Sequence, residues 1–306
     1  MDKQTEKKYN YWQWRTLITL MIGYALYYFV RKHFSVVMPA LESELGISKV
    51  QLGLFLTLNG IIYGISRFVN GLLADRFSRK ILMSAGLLLS ALTNFIICFS
   101  PSMNSFVNVL DAEGKATMTL VYIIGSLWVL NGYFQGMGVP PCISLMCHWI
   151  RPSELATKQS IWNASHSIGA GLISVMCGFI LKHYGYSSWQ LCFAIPAAIA
   201  VVGAIALFFT LKDTPSSVGL PEIEDMEKEE GKSQCEVEEN KAKELSGPAF
   251  KKFVNKLVFG NPLIWILAVS NFCIYVVRFT ILDWGTTFLT QFKGMEISAA
   301  GTVVAV

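Results

Sequence analysis

Four basic side chains lie inside stretches that are otherwise apolar enough to cross a lipid bilayer: Arg31, Lys32, Arg67 and Arg278. These stretches offer no acid that is obviously placed to neutralise them. A cation at the centre of a membrane costs about 2.5–3.5 kcal/mol even on insertion-based scales. Such a residue usually persists because an anion binds to it, so the four bases predict an anion site within the membrane.

Two of these bases occur in matching tetrapeptides, YFVR at 28–31 and YVVR at 275–278. Residues three apart share one face of a helix, so Tyr28 is expected beside Arg31, and Tyr275 beside Arg278. Tyr24 lies one turn before Tyr28 and is expected on the same face. The three phenols are therefore predicted to line the same polar space as the arginines.

Arginine suits a phosphate ligand better than lysine does. Its guanidinium is always charged and presents a planar fork to two oxygens. The alternatives are snorkelling to the membrane surface or a fixed ion pair. Arg31 lies about 10 Å from the end of its predicted span, and Asp283 falls off the helical face of Arg278. We therefore favour phosphate binding for both arginines.

The remaining polar candidates are His166, Asn163, Lys32 and Arg67. His166 lies in an apolar span, where a polar ring needs a partner and usually faces a cavity. Asn163 is nearly one turn earlier and bonds either to sugar hydroxyls or to a helix neighbour. Lys32 either raises the local positive potential or contacts carbonyls of a neighbouring helix. Arg67 lies in GISRFVNG, whose small residues permit close approach of another helix.

The composition places these residues in an all-α membrane protein. Apolar residues make up 53% of the chain and charged residues only 15%, against about 25% charged in an ordinary soluble domain. Runs near the roughly 20 residues that span hydrocarbon recur along the chain. They lie at about 16–38, 50–74, 81–100, 117–143, 159–181, 188–211 and 261–290, and an eighth begins near Ser298. Pro140 and Pro141 are expected to end or kink the fourth span.

One polar interruption divides the chain. It is acidic and rich in lysine, and its composition buries too little apolar surface to fold alone. The predicted organisation is a cytoplasmic N-terminus (1–15), a six-helix bundle (16–211), a flexible cytoplasmic linker (212–256) and the start of a second bundle (257–306). Since the sequence stops inside an apolar run, we expect the second bundle to be truncated and the chain to be a fragment.

The loop charges predict the orientation. Lysine and arginine concentrate before the first span, after the second and fourth, and in the linker, which places these loops in the cytoplasm. The net charge of +4 follows this topology and indicates no nucleic-acid surface. The seven cysteines show no CxxC metal spacing. No nucleophile–base pair or phosphate-cradling glycine loop is present, so an enzyme, a metal site or a cofactor is not expected.

The segment GLLADRFSRK at 71–80 follows the second span and resembles the loop signature of the major facilitator superfamily, with Ser78 where glycine is usual. A carboxylate at a helix end, followed by bases at the lipid surface, is suited to hold the cytoplasmic side closed in one state. Asp75 and Arg76 are therefore predicted to form a conformational latch.

A narrower resemblance covers nearly the whole chain. The runs GYFQGMGVPPC at 132–142, WNASHSIGAG at 162–171 and DTPSSVGLP at 213–221 are similar to the organophosphate:phosphate antiporters, as are the two arginine phrases. That family includes the glycerol-3-phosphate and hexose-6-phosphate carriers and a related sugar-phosphate sensor. The chain departs from the family at Val139 (often Trp), Ile143-Ser144 (often Gly-Arg) and Arg67 (often Lys).

The resemblance implies that Arg31 and Arg278 clamp the phosphate, one from each half, and that His166 touches it. It also implies that Arg67 is a secondary phosphate or sugar contact, the alternative being a base at the membrane surface near the cytoplasmic end of the second span. It also implies a multi-pass protein of the bacterial inner membrane that exchanges a hexose phosphate or glycerol 3-phosphate for inorganic phosphate by alternating access. The alternative is a sugar-phosphate sensor that signals to a membrane kinase. A proton-coupled sugar symporter is disfavoured, because Asp283 is essentially the one mid-membrane carboxylate available.

Overall fold

The computed structural model describes residues 3–74, 76–223 and 260–305, and within them the chain folds into helices. The α-helices are α1 (Lys3–Leu45), α2 (Lys49–Ala74), α3 (Arg79–Phe99), α4 (Met118–Gln135), α5 (Val139–Trp149), α6 (Pro152–Tyr184), α7 (Leu191–Thr210), α8 (Pro262–Lys293) and α9 (Ile297–Ala305). Short 3₁₀ turns cover Ser100–Ser105, Tyr186–Ser188 and Pro215–Val218. In this part of the chain the only β pairing is an isolated bridge between Leu110 and Ala116. The all-helical prediction is confirmed.

The observed helices extend the predicted spans more often than they shorten them. Helix α1 runs 43 residues, well beyond the predicted 16–38, and α6 begins before and ends after the predicted 159–181. Five helical stretches of the described chain are long and apolar enough to cross a membrane: α2, α3 with the turn after it, α6, α7 with the turn before it, and α8. The other two predicted spans are α1, which has a polar centre, and α4, which stops early.

The predicted fourth span is two helices. Helix α4 ends at Gln135, and α5 starts at Val139 with Pro140 and Pro141 in its first turn. Proline fits the first turn because its missing N–H has no helical partner there. At the break, a side chain on Gly136 would meet the Ser66 hydroxyl of α2 at 2.3 Å. The interruption expected at the prolines therefore lies just before them, where α4 approaches α2.

Helix α1 departs from helical geometry at Val30, the residue before Arg31. The Val30 carbonyl accepts hydrogen bonds from two buried amides, Asn94 Nδ2 of α3 at 3.2 Å and Asn131 Nδ2 of α4 at 3.0 Å. Side chains that insert into the backbone ladder are a known cause of local helix distortion. These two amides stabilise the bend and so determine where Arg31 emerges.

The core of the bundle is built around α1. Its buried residues pack against α3, α6 and α7, with Trp128, Trp149 and Phe193 among the largest fully buried side chains. Large apolar side chains on the opposite surfaces of α2, α7 and α8 are exposed. Such an apolar exterior is the surface expected to face lipid.

Helix α8 contacts the bundle mainly through its C-terminal part. Its residues from 262 to 282 are largely exposed, whereas Gln291 Nε2 donates to Glu42 Oε2 of α1 at 2.6 Å. Beyond α8, Lys182 Nζ lies 3.0 Å from Glu296 Oε1, and its hydrogen bond lowers the pKa of that carboxyl. Within the described residues, α1 and α8 therefore contact each other at the end opposite the basic loops.

Close packing of α1 and α6 depends on Gly169. A Cβ atom there would lie 2.6 Å from the Ala25 carbonyl oxygen and 2.9 Å from its Cα. Backbone atoms cannot turn aside as a flexible side chain can, so Gly169→Ala is expected to lower the free energy of unfolding by about 1–3 kcal/mol. Thermal unfolding of the purified protein measures this change.

Gly64→Ala is the matched control, because a Cβ at Gly64 of α2 meets no atom within 4 Å. Alanine is the better helix former, so this variant is expected to be unchanged or slightly more stable. Equal destabilisation by both substitutions would show that the close approach at Gly169 is not the cause.

Candidate functional site

A cavity of about 710 Å³ lies between α1, α2, α6 and α8. All the substrate-binding residues predicted from the sequence line it: Tyr24, Tyr28, Arg31, Lys32, Arg67, Asn163, His166, Tyr275 and Arg278. They come from four helices and are far apart in the chain, so their convergence is a property of the fold. The roles predicted for them individually remain predictions.

Arg31 emerges from the bend in α1 and lies against aromatic rings. Its Cζ atom is 4.0 Å from the centre of the Tyr63 ring and 5.9 Å from that of Tyr28. The Cζ atom of Arg67 lies 5.5 Å from the same Tyr63 ring. Cations are attracted to the electron-rich faces of aromatic rings. Tyr63 thus keeps two guanidiniums together at one wall of the cavity.

Arg278 reaches the cavity from α8 and contacts His166 of α6. The Arg278 Nη2 group donates to His166 Nε2, and the Cζ atom lies 5.9 Å from the Tyr275 ring. On the other side of the imidazole, Nδ1 contacts the Asn163 carbonyl oxygen, which assigns the proton to Nδ1. His166 is therefore oriented as a neutral acceptor toward Arg278.

No described carboxylate lies within 4.0 Å of the guanidinium of Arg31, Arg67 or Arg278. The neighbours of Arg31 and Arg278 are phenols and an imidazole, which carry no negative charge at neutral pH. The cavity therefore has an excess of positive charge that a mobile anion can neutralise.

Lys32 differs from the arginines. Its Nζ atom lies 2.5 Å from Asp283 Oδ1 of α8, and the Ser35 hydroxyl donates to the same oxygen at 3.3 Å. The side chains of Lys32 and Asp283 are 6% and 20% exposed. The expectation that no acid was placed to neutralise the buried bases is thus wrong for Lys32. The two open interpretations of Lys32 did not include this ion pair between α1 and α8.

Stacked aromatic rings form the wall next to the histidine. The rings of Tyr24 and Trp162 lie 4.7 Å apart and nearly parallel, at 27°. The Tyr28 ring contacts both neighbours, 5.5 Å from Tyr24 and 5.6 Å from His166. The tyrosines predicted to share a face therefore do so, and they give this wall an apolar surface beside the cationic centre.

Several lining residues were not among the predicted contacts, and four of them carry polar or stacking groups at the site: Tyr63, Gln159, Trp162 and Asp283. Two of them could have been predicted from their helical spacing to a predicted contact. Tyr63 precedes Arg67 by one turn, and Gln159 precedes Asn163 by one turn, so each pair shares a helix face. Trp162 adjoins Asn163 in the sequence, but its stacking on Tyr24 requires α1 and α6 to be packed together.

Tyr63 is expected to contribute through its ring. Replacing it with leucine removes the aromatic face that holds Arg31 and Arg67. A cation–π contact contributes about 0.5–2 kcal/mol, so the affinity for inorganic phosphate should fall by about 2-fold to 30-fold. Tyr63→Phe keeps the ring and should bind nearly as well as the native protein. Equilibrium binding of radiolabelled phosphate measures both variants, and an equal loss in the two would assign the effect to the hydroxyl.

The predicted latch is described only in part. Asp75 lies outside the described residues. Arg76 is exposed, and its backbone N–H donates to the Leu73 carbonyl at 3.1 Å. The structure brings no described partner to the Arg76 side chain within ion-pair distance. The latch thus stays a prediction.

Ser78, the departure from the loop signature, has a local function at the start of α3. Its hydroxyl caps the helix through the Ile81 N–H and donates to Asp213 Oδ2 at 2.5 Å. The other Asp213 oxygen accepts the Lys80 N–H at 2.8 Å. A carboxylate at a helix N-terminus satisfies free N–H groups. The segment after α7 is thereby attached to the α2–α3 loop.

Among the described residues, no group of three His, Cys, Asp or Glu side chains is arranged to hold a metal ion. The cavity is instead suited to bind an anion by charge and hydrogen bonds.

Comparison with known proteins identifies relatives along most of the chain. Residues 20–306 match the family described as Major Facilitator Superfamily. The chain is 36% identical over 294 residues to a probable hexose phosphate transport protein of Chlamydia pneumoniae. This match covers 94% of this chain and 59% of the relative. It is 35% identical to the glycerol-3-phosphate transporter of Bacillus subtilis (strain 168), covering 96% of this chain and 61% of that protein.

A third relative is the membrane sensor protein UhpC of Escherichia coli (strain K12), 32% identical over 98% of this chain and 62% of the sensor. The chain thus spans about 60% of the length of these relatives. Among solved structures, a bacterial homologue of the human lysosomal transporter Spinster, inward-facing and unoccupied, matches with a TM-score of 0.69 at 18% identity. That match covers 95% of this chain and 58% of the other. At this identity the likeness concerns the fold alone.

Proposed function

The chain belongs to the Major Facilitator Superfamily, a family of transporters and not of enzymes, and from this premise we propose that it exchanges a phosphate ester for inorganic phosphate across the membrane. The ester is a hexose phosphate or glycerol 3-phosphate, the cargo named for its relatives from Chlamydia pneumoniae and Bacillus subtilis. The exchange proceeds by alternating access, in which the cavity opens to one side of the membrane at a time.

One observation carries the proposal: Arg31 and Arg278 line the same cavity from α1 and α8, and no described carboxylate neutralises either of them. Two guanidinium forks match the oxygens of a phosphate group, with paired hydrogen bonds that favour this ligand over a halide. His166, beside Arg278, supplies a further polar contact.

The same charge argument favours exchange over one-way transport. Closing apolar walls around unpaired guanidiniums is costly, because a buried charge loses its hydration. A bound phosphate offsets that cost and draws α1 and α8 together. Only the loaded protein then changes conformation readily, and each outward step of one phosphate compound is coupled to the inward step of another.

The remainder of the ester lies against the aromatic and amide side of the cavity. Tyr24 and Trp162 offer a flat apolar surface for a sugar ring, and Asn163 offers an amide for its hydroxyls. A volume of about 710 Å³ is within the usual range for small-molecule sites.

The test is exchange in proteoliposomes loaded with radiolabelled phosphate. Release is expected when glucose 6-phosphate, glycerol 3-phosphate or inorganic phosphate is added outside, and little release is expected without them. Rapid release into buffer that lacks phosphate compounds would contradict obligate exchange. Failure of all three compounds to bind or to promote release would contradict the transport proposal itself.

Similarity to the membrane sensor protein UhpC supports a second candidate, in which the same cavity binds a sugar phosphate and signals to a membrane kinase. The two functions differ in flux. A sensor binds the ester in equilibrium measurements but releases little preloaded phosphate from vesicles, whereas a carrier does both.

We also infer a topology for this function. The protein lies in the bacterial inner membrane, with residues 1–15 and the linker 212–256 in the cytoplasm. The linker joins a first bundle of six spans to a second bundle that starts at residue 257. The concentration of basic residues in those loops supports this orientation. Protease accessibility of the linker in right-side-out and inverted vesicles tests it.

A further inference from the structure

The N-terminal part of α1 carries an open groove that lies outside the central cavity. Its volume is about 480 Å³, and Lys7, Asn10, Tyr11, Trp14, Arg15 and Ile18 line it. We propose that this groove binds the headgroup of an anionic phospholipid of the cytoplasmic leaflet. The inference is independent of which substrate the cavity carries.

The order of residue types along this face matches the layers of a membrane surface. Lys7 comes first, Tyr11 and Trp14 follow at intervals of about one turn, and Ile18 comes last, so the four share one side of the helix. Tyr11, Trp14 and Ile18 are 62%, 47% and 50% exposed. Amphipathic aromatic rings favour the headgroup level, and aliphatic side chains favour the hydrocarbon below it.

Two bases in the groove lack a carboxylate partner. No described acid lies within 4.0 Å of Lys7 or Arg15, and Arg15 instead packs with its Cζ atom 4.4 Å from the Trp12 ring. The two bases lie about 12 Å apart along the helix and about 80° apart around it, and both line the groove. Charge complementarity therefore favours an anionic lipid over a neutral one.

The nearby acids are engaged elsewhere or do not line the groove. Glu154 accepts from Lys158 Nζ at 2.6 Å, and this ammonium lies 5.4 Å from the Trp14 ring. Glu6 adjoins Lys7 but is not among the residues that line the groove. The positive charge of Lys7 and Arg15 thus stays available at the membrane surface.

The experiment uses the purified full chain in detergent, titrated with phosphatidylglycerol and followed by native mass spectrometry. A photoactivatable phosphatidylglycerol locates the site, and its adducts are expected on residues 7–22. A base at an anionic lipid surface contributes about a five-fold change in affinity, so Lys7→Gln with Arg15→Gln should weaken binding at this site by about 25-fold. Phosphatidylcholine should bind more weakly than phosphatidylglycerol to the native protein.

Two further double variants control for charge and folding. Lys7→Arg with Arg15→Lys keeps both charges and should retain binding. Lys49→Gln with Lys293→Gln removes the same charge at the opposite end of the bundle and should leave the adducts on residues 7–22 unchanged. Far-UV circular dichroism checks the helix content of each variant. Equal binding of phosphatidylcholine, equal loss in the control at the opposite end, or adducts confined to the central cavity would each overturn the proposal.

Discussion

Lysine in place of Arg31 should lower the affinity for inorganic phosphate by about 10-fold to 150-fold while the protein still inserts into the membrane. The charge is kept, but the planar fork is lost, and with it one hydrogen bond to a charged ligand, which is worth about 1.5–3 kcal/mol. The same result is expected for Arg278→Lys, because that residue lines the cavity from α8. Equilibrium binding of radiolabelled phosphate is the direct measurement.

Arg79→Lys is the matched control, since Arg79 Nε donates to Ser144 Oγ at 2.7 Å outside the cavity. It makes the same chemical change and should leave phosphate affinity unaltered. Native-like affinity in either cavity variant would refute the two-arginine clamp. A similar loss in Arg79→Lys would point to a general effect on folding, which melting temperatures of the three proteins distinguish.

Removing the negative charge of Asp283 should cause the largest change in stability. Asp283→Asn leaves the ammonium of Lys32 without its counter-charge, although that side chain is only 6% exposed. Breaking one partner of a buried ion pair typically costs about 3–5 kcal/mol. We expect a value near the low end, because Asp283 faces the cavity and is 20% exposed. Thermal unfolding in detergent measures the effect.

The double variant Lys32→Met with Asp283→Asn distinguishes the loss of the ion pair from the cost of leaving one buried charge unpaired. It removes both charges and should recover most of the lost stability, because no uncompensated cation remains. Glu296→Gln disrupts the exposed pair with Lys182 and should change stability little. Additive losses in the double variant would show that Lys32 and Asp283 do not stabilise each other.

Helical spacing was sufficient to predict which tyrosines share a helix face with the two arginines. Tyr28 with Arg31, and Tyr275 with Arg278, are three residues apart within single helices, and the structure brings all four to one cavity. Spacing within a helix indicates which side chains share a face. It does not indicate which face of another helix lies opposite.

The Lys32–Asp283 pair illustrates that limit. The two residues are 251 positions apart, and their contact exists only because α1 and α8 pack together near the middle of the bundle. Each side chain considered alone is an isolated charge in an apolar run. The stacking of Tyr24 on Trp162 depends in the same way on the packing of α1 against α6.

The sequence predicted that the fourth span is interrupted, but it did not predict that the break between α4 and α5 lies before the prolines. Proline predicts an interruption, yet Pro140 and Pro141 fit the first turn of a helix as well as they end one. At the break, α2 packs so closely that a Cβ on Gly136 would lie 2.3 Å from the Ser66 hydroxyl. The helix-forming tendencies of the segment alone therefore did not fix the position of the break.

The bend at Val30 has a consequence for motion. Amides from α3 and α4 both bond to the Val30 carbonyl, so the bend is tied to two other helices of the first bundle. We therefore expect Arg31 to move together with α1, α3 and α4. The hinge of any rocking motion is thereby displaced to the contacts between α1 and α8, and the spacing of the two guanidiniums reports how far the two helices have rotated.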